Sequence, residues 1–169
     1  QLYPEELYEK GMRIISATTT RNHPLAIPPQ VKSLNYLNNI LAKIEALDSN
    51  VPEAIMYNHE GYVAEATGDN VFIVADGVIY APPVEAGALG GITRNIVIKL
   101  AGQENIHVVE KNLTRFDLYV CDEFFLTGTA AEVIGIVEID GRVIGDGRPG
   151  PITTLLRKKF FEYAHGKEK

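Results

Sequence analysis

Residues 53–81 read EAIMYNHEGYVAEATGDNVFIVADGVIYA, and this stretch decides the fold that the sequence predicts. Four short runs rich in β-branched, aromatic and other apolar residues recur within it, at 54–57, 62–66, 71–74 and 78–80. Turn residues separate the runs, and the last turn is an Asp-Gly pair, a strong signal for a tight hairpin. The stretch therefore predicts consecutive antiparallel strands, a meander.

Strand and helix signals alternate through the rest of the chain. Further strands are predicted at 12–17, at 107–110, at 123–126 and in a hairpin of 133–140 with 142–144. Apolar residues at helical spacing predict helices after Lys32, Gly91 and Pro151. We therefore expect one α+β domain over residues 1–169, with a mixed, largely antiparallel, barrel-like sheet and flanking helices rather than a doubly wound sheet.

The composition is that of an ordinary globular domain. The 169 residues are 46% hydrophobic and 22% charged, and their formal net charge is −6. An acidic average field disfavours nucleic acid and anionic membranes as partners, so small molecules are the expected ligands. No apolar run reaches the ~18 residues that cross a bilayer, and the start lacks a signal-peptide pattern. A single cysteine, Cys121, agrees with a reducing compartment, and we expect a cytoplasmic protein.

Metal chemistry has little support in the sequence. The four histidines lie far apart, and none has a second ligand at the spacing that a helix would need for a metal site. They are His23, His59, His107 and His165. The sequence therefore predicts no metal site.

The stretch PPQVKSLNYLNN, residues 28–39, is the first candidate for chemistry. It predicts a proline-stiffened extended segment that leads into a helix, with Lys32 just before the helix start. An amine held in a desolvated place loses affinity for its proton and becomes a nucleophile, as Schiff-base chemistry requires. A solvated surface lysine is the alternative. The apolar residues that follow at helical spacing, among them Leu37, Leu41 and Ile44, are expected to pack into the core.

Three further features allow both a functional and an ordinary interpretation. Glu65 lies late in the second strand of the meander, either as an exposed edge residue or as the partner of a cation in a cleft. Glycines at 87–91 precede a helix start that would suit a phosphate, although no nucleotide-binding fingerprint is present and a tight turn explains them too. Thr-Gly-Thr at 127–129 either lets a ligand approach backbone amides or forms a plain turn.

Together these features resemble one known family. Its motifs occur in the family's order between residues 21 and 162, over more than four-fifths of the chain. They are VKSLNY at 31–36, EGYVAEATGDN at 60–70, GITR at 91–94, TGTAAE at 127–132 and GDGRPGP at 145–151. This part of the chain is similar to the larger, C-terminal domain of the fold type IV pyridoxal-phosphate enzymes, and most similar to the branched-chain amino-acid aminotransferases.

The resemblance implies a role for each matching residue. Lys32 would form a Schiff base with the cofactor aldehyde and later move the proton of the substrate α-carbon. Glu65 would pair with the pyridine nitrogen, and Tyr36 would hydrogen-bond the phenolic oxygen of the ring. The other implied contacts are Ile92, Thr93 and Thr129 to the phosphate, Leu89 to the ring face, and Thr129 with Ala130 to the substrate carboxylate.

The resemblance also implies the activity. It implies transamination between an L-branched-chain amino acid and 2-oxoglutarate, with pyridoxal 5′-phosphate as cofactor, in a homodimer or larger homo-oligomer. D-amino-acid transaminase and aminodeoxychorismate lyase, which have similar cofactor domains, stay open.

Two departures from the family pattern bear on this expectation. Ala66 stands where many relatives have glycine, and the family's N-terminal domain, which supplies an arginine and part of the substrate pocket, is missing. We therefore expect a truncated cofactor domain. A catalytically inert cofactor-binding or dimer-forming domain is the alternative of a different class.

Overall fold

The computed structural model describes residues 3–166. Within these residues the chain forms nine strands in one sheet, five α-helices and one 3₁₀ turn at Val84–Ala86. The strands are β1 Met12–Ser16, β2 Ala54–Tyr57, β3 Val63–Ala66, β4 Asn70–Ala75, β5 Val78–Ala81, β6 Val108–Glu110, β7 Glu123–Gly128, β8 Glu132–Ile139 and β9 Arg142–Val143. The helices are α1 Glu5–Lys10, α2 Leu37–Asp48, α3 Ile92–Gln103, α4 Arg115–Val120 and α5 Pro151–His165.

The sheet is mixed and largely antiparallel. Its order is β3-β2-β1-β8-β7-β4-β5-β6, and β9 pairs with β8 beside this path. β1 runs parallel to both β2 and β8, and β5 runs parallel to β6, whereas the other five pairs are antiparallel. The predicted α+β class with a mixed, largely antiparallel sheet is confirmed.

The sheet is curled because the chain links two of its distant strands, β3 and β4, directly. These strands are five positions apart, which in a flat sheet corresponds to about 24 Å. Only Thr67, Gly68 and Asp69 connect them, and the path from Ala66 to Asn70 can span at most about 14 Å. The Ala66 N–H also donates to the Asp69 carbonyl at 2.8 Å. The predicted hairpins β2–β3 and β4–β5 are confirmed, but the meander was wrong between β3 and β4, since those strands do not pair in the sheet.

Both faces of the central strands are buried. Phe124 and Leu126 of β7 join a cluster that reaches α1 and α4, whereas Phe125 between them joins a cluster under α3 and α5. Alternate residues of a strand point to opposite faces, so two buried faces explain why β7 carries three consecutive large apolar residues, Phe124, Phe125 and Leu126. Among the described helices, none combines the length and the hydropathy that crossing a bilayer requires.

Helix α2 departs from the sequence prediction in the face that it buries. It packs on β2 through Ala42 and Ala46, whose small side chains let the helix approach the strand closely. The large residues that were expected in the core are exposed instead: Leu37 by 64%, Leu41 by 49% and Ile44 by 47%. The prediction of core packing for these three was wrong because helical spacing identifies an apolar stripe without showing what covers it.

Candidate active site

A cavity of about 250 Å³ lies where the curl of the sheet brings the end of β3 to the start of β4. Its walls come from the loop before α2, the β3–β4 link, the start of α3 and the end of β7. Seven of the predicted site residues line it: Lys32, Tyr36, Glu65, Leu89, Ile92, Thr93 and Thr129. Ala130, the eighth, lies outside the lining, exposed in the turn that follows Thr129.

Glu65 is a buried carboxylate and not an exposed edge residue, with only 7% of its surface accessible. One of its oxygens accepts a hydrogen bond from the Arg21 guanidinium, and the two side chains form a salt bridge. The other oxygen accepts from the Leu89 backbone N–H at 2.8 Å and from Asn70 Nδ2 at 3.2 Å. Burial raises the pKa of the Glu65 carboxyl, and the charge of Arg21 opposes that rise. The arrangement holds one carboxylate in a fixed orientation at the cavity wall.

Arg21 is a residue of this site that the sequence did not predict. It is 7% exposed. Its Nε donates to the Gly87 carbonyl at 3.1 Å, its Nη1 donates to Asn39 Oδ1 at 2.7 Å, and its Nη2 donates to Glu65. A planar guanidinium with all three nitrogens engaged fixes the geometry of its carboxylate partner. Arg21 lies in an irregular segment between β1 and α2, so no periodic pattern pointed to it.

The segment around Lys32 is a series of turns, not the extended run that the prolines predicted. The Ala26 N–H donates to the His23 carbonyl at 2.9 Å, and the Val31 N–H donates to the Pro28 carbonyl at 3.0 Å. Leu34 then adopts a left-handed conformation with φ 62°. The α2 helix follows, as predicted, because the chain turns back toward the sheet at this point.

Lys32 and Tyr36 form one wall of the cavity. The Lys32 Nζ donates to the Tyr36 hydroxyl at 3.2 Å, across the last residues before α2 begins at Leu37. Tyr36 thus directs its hydroxyl toward Lys32 in the site. Lys32 is exposed, so the described part of the chain does not by itself supply the desolvation that the sequence argument assumed.

The start of α3 forms the opposite wall. The helix is 12 residues long, begins at Ile92, and has Gly91 as an N-cap with no capping side-chain bond, so its first amides are available to an anion. A Cβ at Gly91 would lie 2.2 Å from Asn70 Oδ1, so glycine is required for Asn70 to pack here. Ile92 is 79% exposed, and its backbone N–H, rather than its apolar side chain, is suited to the predicted phosphate contact.

The end of β7 and the β3–β4 link close the cavity with two residues for which no individual role was predicted. Thr127 is fully buried, and its hydroxyl has no hydrogen-bond partner among the described residues. Asp69 is 7% exposed and packs on Gly128, where a Cβ would lie 1.9 Å from Asp69 Oδ1. Burial, with a smaller contribution from Glu53, raises the pKa of the Asp69 carboxyl to about 7. Within residues 3–166, no three acidic, histidine or cysteine side chains are grouped so that they could hold a metal ion.

Comparison with known proteins shows which family the chain belongs to. The model of the family described as amino-transferase class IV matches residues 1–139. The chain belongs to the class IV aminotransferases. A relative from Methanocaldococcus jannaschii, whose name places it among the branched-chain-amino-acid aminotransferases, is 52% identical over 157 residues, 93% of this chain and 54% of that protein. The branched-chain-amino-acid aminotransferase of Pseudomonas aeruginosa is 46% identical over 164 residues, 96% of this chain and 53% of that protein.

Solved structures of class IV aminotransferases share the fold. The branched-chain amino acid aminotransferase from Thermobaculum terrenum, in its PLP form, superposes with a TM-score of 0.92 at 36% identity, and the match covers 99% of this chain and 55% of that chain. The fold type IV architecture that the resemblance implied is therefore confirmed. The class IV chain described here spans about half the length of the relatives it matches.

Proposed function

We propose that the chain takes part in pyridoxal-phosphate-dependent transamination between an L-branched-chain amino acid and 2-oxoglutarate. The observation that carries this proposal is one cavity that combines the Lys32 amine, the buried Glu65 carboxylate and the uncapped start of α3. The names of the relatives support the branched-chain substrate over a D-amino acid or aminodeoxychorismate. That the chain is the cofactor domain of a longer enzyme, acting in the cytoplasm, belongs to the same proposal.

The donors and acceptors of the cavity fit pyridoxal 5′-phosphate. This cofactor, when bound, supplies an aldehyde that reacts with amines and a pyridine ring that accepts electron density. A protonated pyridine nitrogen needs an ionised carboxylate, which Glu65 provides, and a phosphate needs N–H donors, which the start of α3 provides. Gly91 and Gly128 line the cavity without side chains of their own, and Asn70 and Asp69 pack directly against them.

Each residue then has a task that follows from its contacts. Arg21 orients Glu65 and favours its ionised form, and Glu65 would in turn hold the proton of the pyridine nitrogen. Lys32 would hold the cofactor through its amine, and once freed that amine would accept the proton of the substrate α-carbon and donate it back. Tyr36 orients the Lys32 amine and the phenolic oxygen of the ring.

The remaining site residues would bind the cofactor and the substrate. The Ile92 and Thr93 amides and the Thr129 hydroxyl would hold the phosphate, and Leu89, which also lines the cavity, would pack on the ring face. The backbone N–H groups of Thr129 and Ala130, which lie in the exposed turn after β7, would bind the substrate carboxylate.

The partner proposed for the chain is a second copy of itself, bound through α2. The exposed apolar face of α2 consists of Leu37, Ile40, Leu41, Ile44 and Leu47, with spacings of three and four residues. Such a stripe fits another helix, and antiparallel pairing would put Leu37 opposite Leu47 of the second copy. Two of the three charged side chains of this helix contact its own domain instead: Lys43 contacts Glu53, and Glu45 contacts Thr18 and Thr19. The third, Asp48, is exposed at the last residue of the helix, so the stripe is uncharged from Leu37 to Leu47.

A second candidate function is cofactor binding without turnover. The observation that favours it is the exposure of Lys32 and of the Ile92 side chain, which leaves this part of the site open to water. Water weakens every electrostatic interaction that proton transfer at the α-carbon depends on.

An absorbance experiment tests both candidates. Addition of pyridoxal 5′-phosphate should give a visible band in the wild-type chain and in the Lys158→Ala control, which lacks an exposed lysine of α5, but not in Lys32→Ala. If the wild type shows no band, cofactor binding is excluded. Turnover of L-leucine with 2-oxoglutarate would exclude the inert domain, and a band without turnover would support it. Turnover with D-alanine alone would contradict the branched-chain assignment.

A further inference from the structure

Asp69 is a buried carboxyl that the proposed function leaves without a task. It lies on the three-residue link between β3 and β4 and lines the cavity. Only 7% of its surface is accessible, and none of the hydrogen bonds formed within residues 3–166 ends on its carboxyl oxygens. A carboxylate in such a place either needs a cation or holds a proton.

The charged side chains around Asp69 already form ion pairs with one another. Glu53, at the start of β2, and Glu65, on β3, both disfavour an ionised Asp69, whereas Lys43 on α2 favours one. Lys43 already contacts the Glu53 carboxylate at 3.2 Å, and Glu65 is already paired with Arg21. The last titratable neighbour, Tyr3, has its own pKa raised by burial and by the charge of Asp69. Among the residues that the structure describes, an ionised Asp69 would therefore be a negative charge without a cation, next to two completed ion pairs.

Asp69 also lies beside the proposed phosphate position. Its Oδ1 is so close to the Gly128 backbone that a Cβ there would lie 1.9 Å away, and Thr129 is the next residue. The buried Thr127 hydroxyl, which lacks a partner among the described residues, lines the same floor. A fully buried hydroxyl without a partner is destabilising, which indicates that this floor receives a polar group when the cavity is filled.

We propose that an anion in this cavity binds together with a proton, and that Asp69 is the group that holds this proton. The inference rests on the proposed function, since it takes the phosphate of the cofactor as the anion. The step moves one proton from solvent to the Asp69 carboxyl and neither forms nor breaks another covalent bond. Without it, the phosphate and Asp69 would repel each other inside a low-dielectric site. The Thr127 hydroxyl then finds its partner in the filled cavity.

Calorimetry measures this proton directly. Pyridoxamine 5′-phosphate is titrated into the chain at pH 8 in buffers of different ionisation enthalpy, because this probe carries the phosphate but no aldehyde to react with Lys32. When the probe binds, the wild type should take up at least about half a proton more than the Asp69→Asn variant does. The variant should also bind the probe several-fold more tightly at that pH. Asp76→Asn makes the same change in an exposed Asp-Gly turn, where Asn-Gly is equally suitable, and should match the wild type.

The outcomes separate this inference from the proposed function. Equal proton uptake by the wild type and Asp69→Asn, with both binding the probe, overturns the inference and leaves the proposed function standing. Absence of binding to both chains overturns the proposed function and with it the inference. Should Asp69→Asn not fold, carboxyl ¹³C titration of the wild type decides, because the inference requires one aspartate that titrates above pH 6 and whose midpoint rises when the probe is added.

Discussion

The pair of Arg21 and Glu65 sets the electrostatics of the site at the scale of single residues. Each side chain is less than one-tenth exposed, so neither charge is neutralised by water when the other is removed. Breaking a buried pair by deleting one partner costs about 3–5 kcal/mol, because the remaining charge stays buried without compensation. Stability measurements on this pair therefore report whether the carboxylate is held as the structure shows.

The substitution Arg21→Met should lower the free energy of unfolding by about 3–5 kcal/mol at pH 8. Without the guanidinium nothing equivalent opposes burial, so the pKa of Glu65 in the folded chain rises further above its unfolded value. Stability from such a group is present at low pH and is lost as pH rises, so the deficit should shrink at pH 5. Urea unfolding at both pH values measures it. The double variant Arg21→Met/Glu65→Gln should recover much of the loss, and a single-variant loss below about 1 kcal/mol would contradict the ion pair.

Most of the residues that the sequence predicted for this site do lie together, but one of its charged residues, Arg21, was not predicted. Lys32, Tyr36, Glu65 and Thr129 line one cavity as the motifs predicted, although their roles stay predictions. The burial of Glu65 was not predictable, because a strand pattern does not show which elements will cover a given side chain. Arg21 was missed for a related reason, since its three hydrogen-bond partners come from residues that only the fold brings together.

At the scale of elements, the local sequence pattern predicted whether a segment forms a strand or a helix, but not which other elements it pairs with or packs against. The hairpin β8–β9 was predicted from Asp140-Gly141, and both residues adopt the positive φ that a tight hairpin turn requires. In contrast, β3 and β4 are adjacent in sequence and unpaired in the sheet, because pairing depends on the non-local order of strands. The same holds for α2: its apolar stripe was predicted correctly, but the prediction that the domain core buries this stripe was wrong.

The exposed stripe of α2 gives a prediction at this scale. The double substitution Leu41→Glu/Ile44→Glu should weaken self-association by about 100-fold or more, because it replaces two large apolar side chains of a contact that both copies share. Sedimentation velocity over a range of concentrations measures this. Phe116→Glu/Val120→Glu makes an equivalent change at exposed apolar residues of α4 and should leave the association unchanged. A wild-type chain that stays monomeric at all concentrations, or equal weakening by both variants, would exclude the α2 interface.

For the whole molecule, the curl that closes the sheet also gathers negative charge. The link from β3 to β4 brings Asp69 close to Glu53 and Glu65, so the same connection that shapes the cavity buries three carboxyl groups near one another. Glu53 contacts Lys43 and the Thr67 backbone, and Glu65 contacts Arg21, but Asp69 forms no salt bridge within residues 3–166. Closing the sheet in this way therefore disfavours the ionised form of Asp69.

This opposition predicts how stability depends on pH. The pKa of Asp69 is raised from 3.8 to about 7 by folding, so the folded chain holds the proton more tightly than the unfolded chain. Its contribution to stability is complete below about pH 4, falls as pH rises toward 7, and is constant above. At about 1.4 kcal/mol for each pKa unit, the loss amounts to at most about 4 kcal/mol. The Asp69→Asn variant has no carboxyl at this position and does not lose this stability as pH rises. The difference between its unfolding free energy and that of the wild type should therefore increase, in favour of the variant, by about 2–4 kcal/mol between pH 4 and pH 8.

Urea unfolding of both ligand-free chains across this range measures the difference, and titrations that the two chains share cancel in it. Asp76→Asn, in its exposed turn, should track the wild type at every pH. A difference between Asp69→Asn and wild type that does not change with pH would mean that Asp69 ionises normally in the folded chain. Closing the sheet would then not raise the pKa of Asp69, and the cavity floor would carry a permanent negative charge beside the proposed phosphate position.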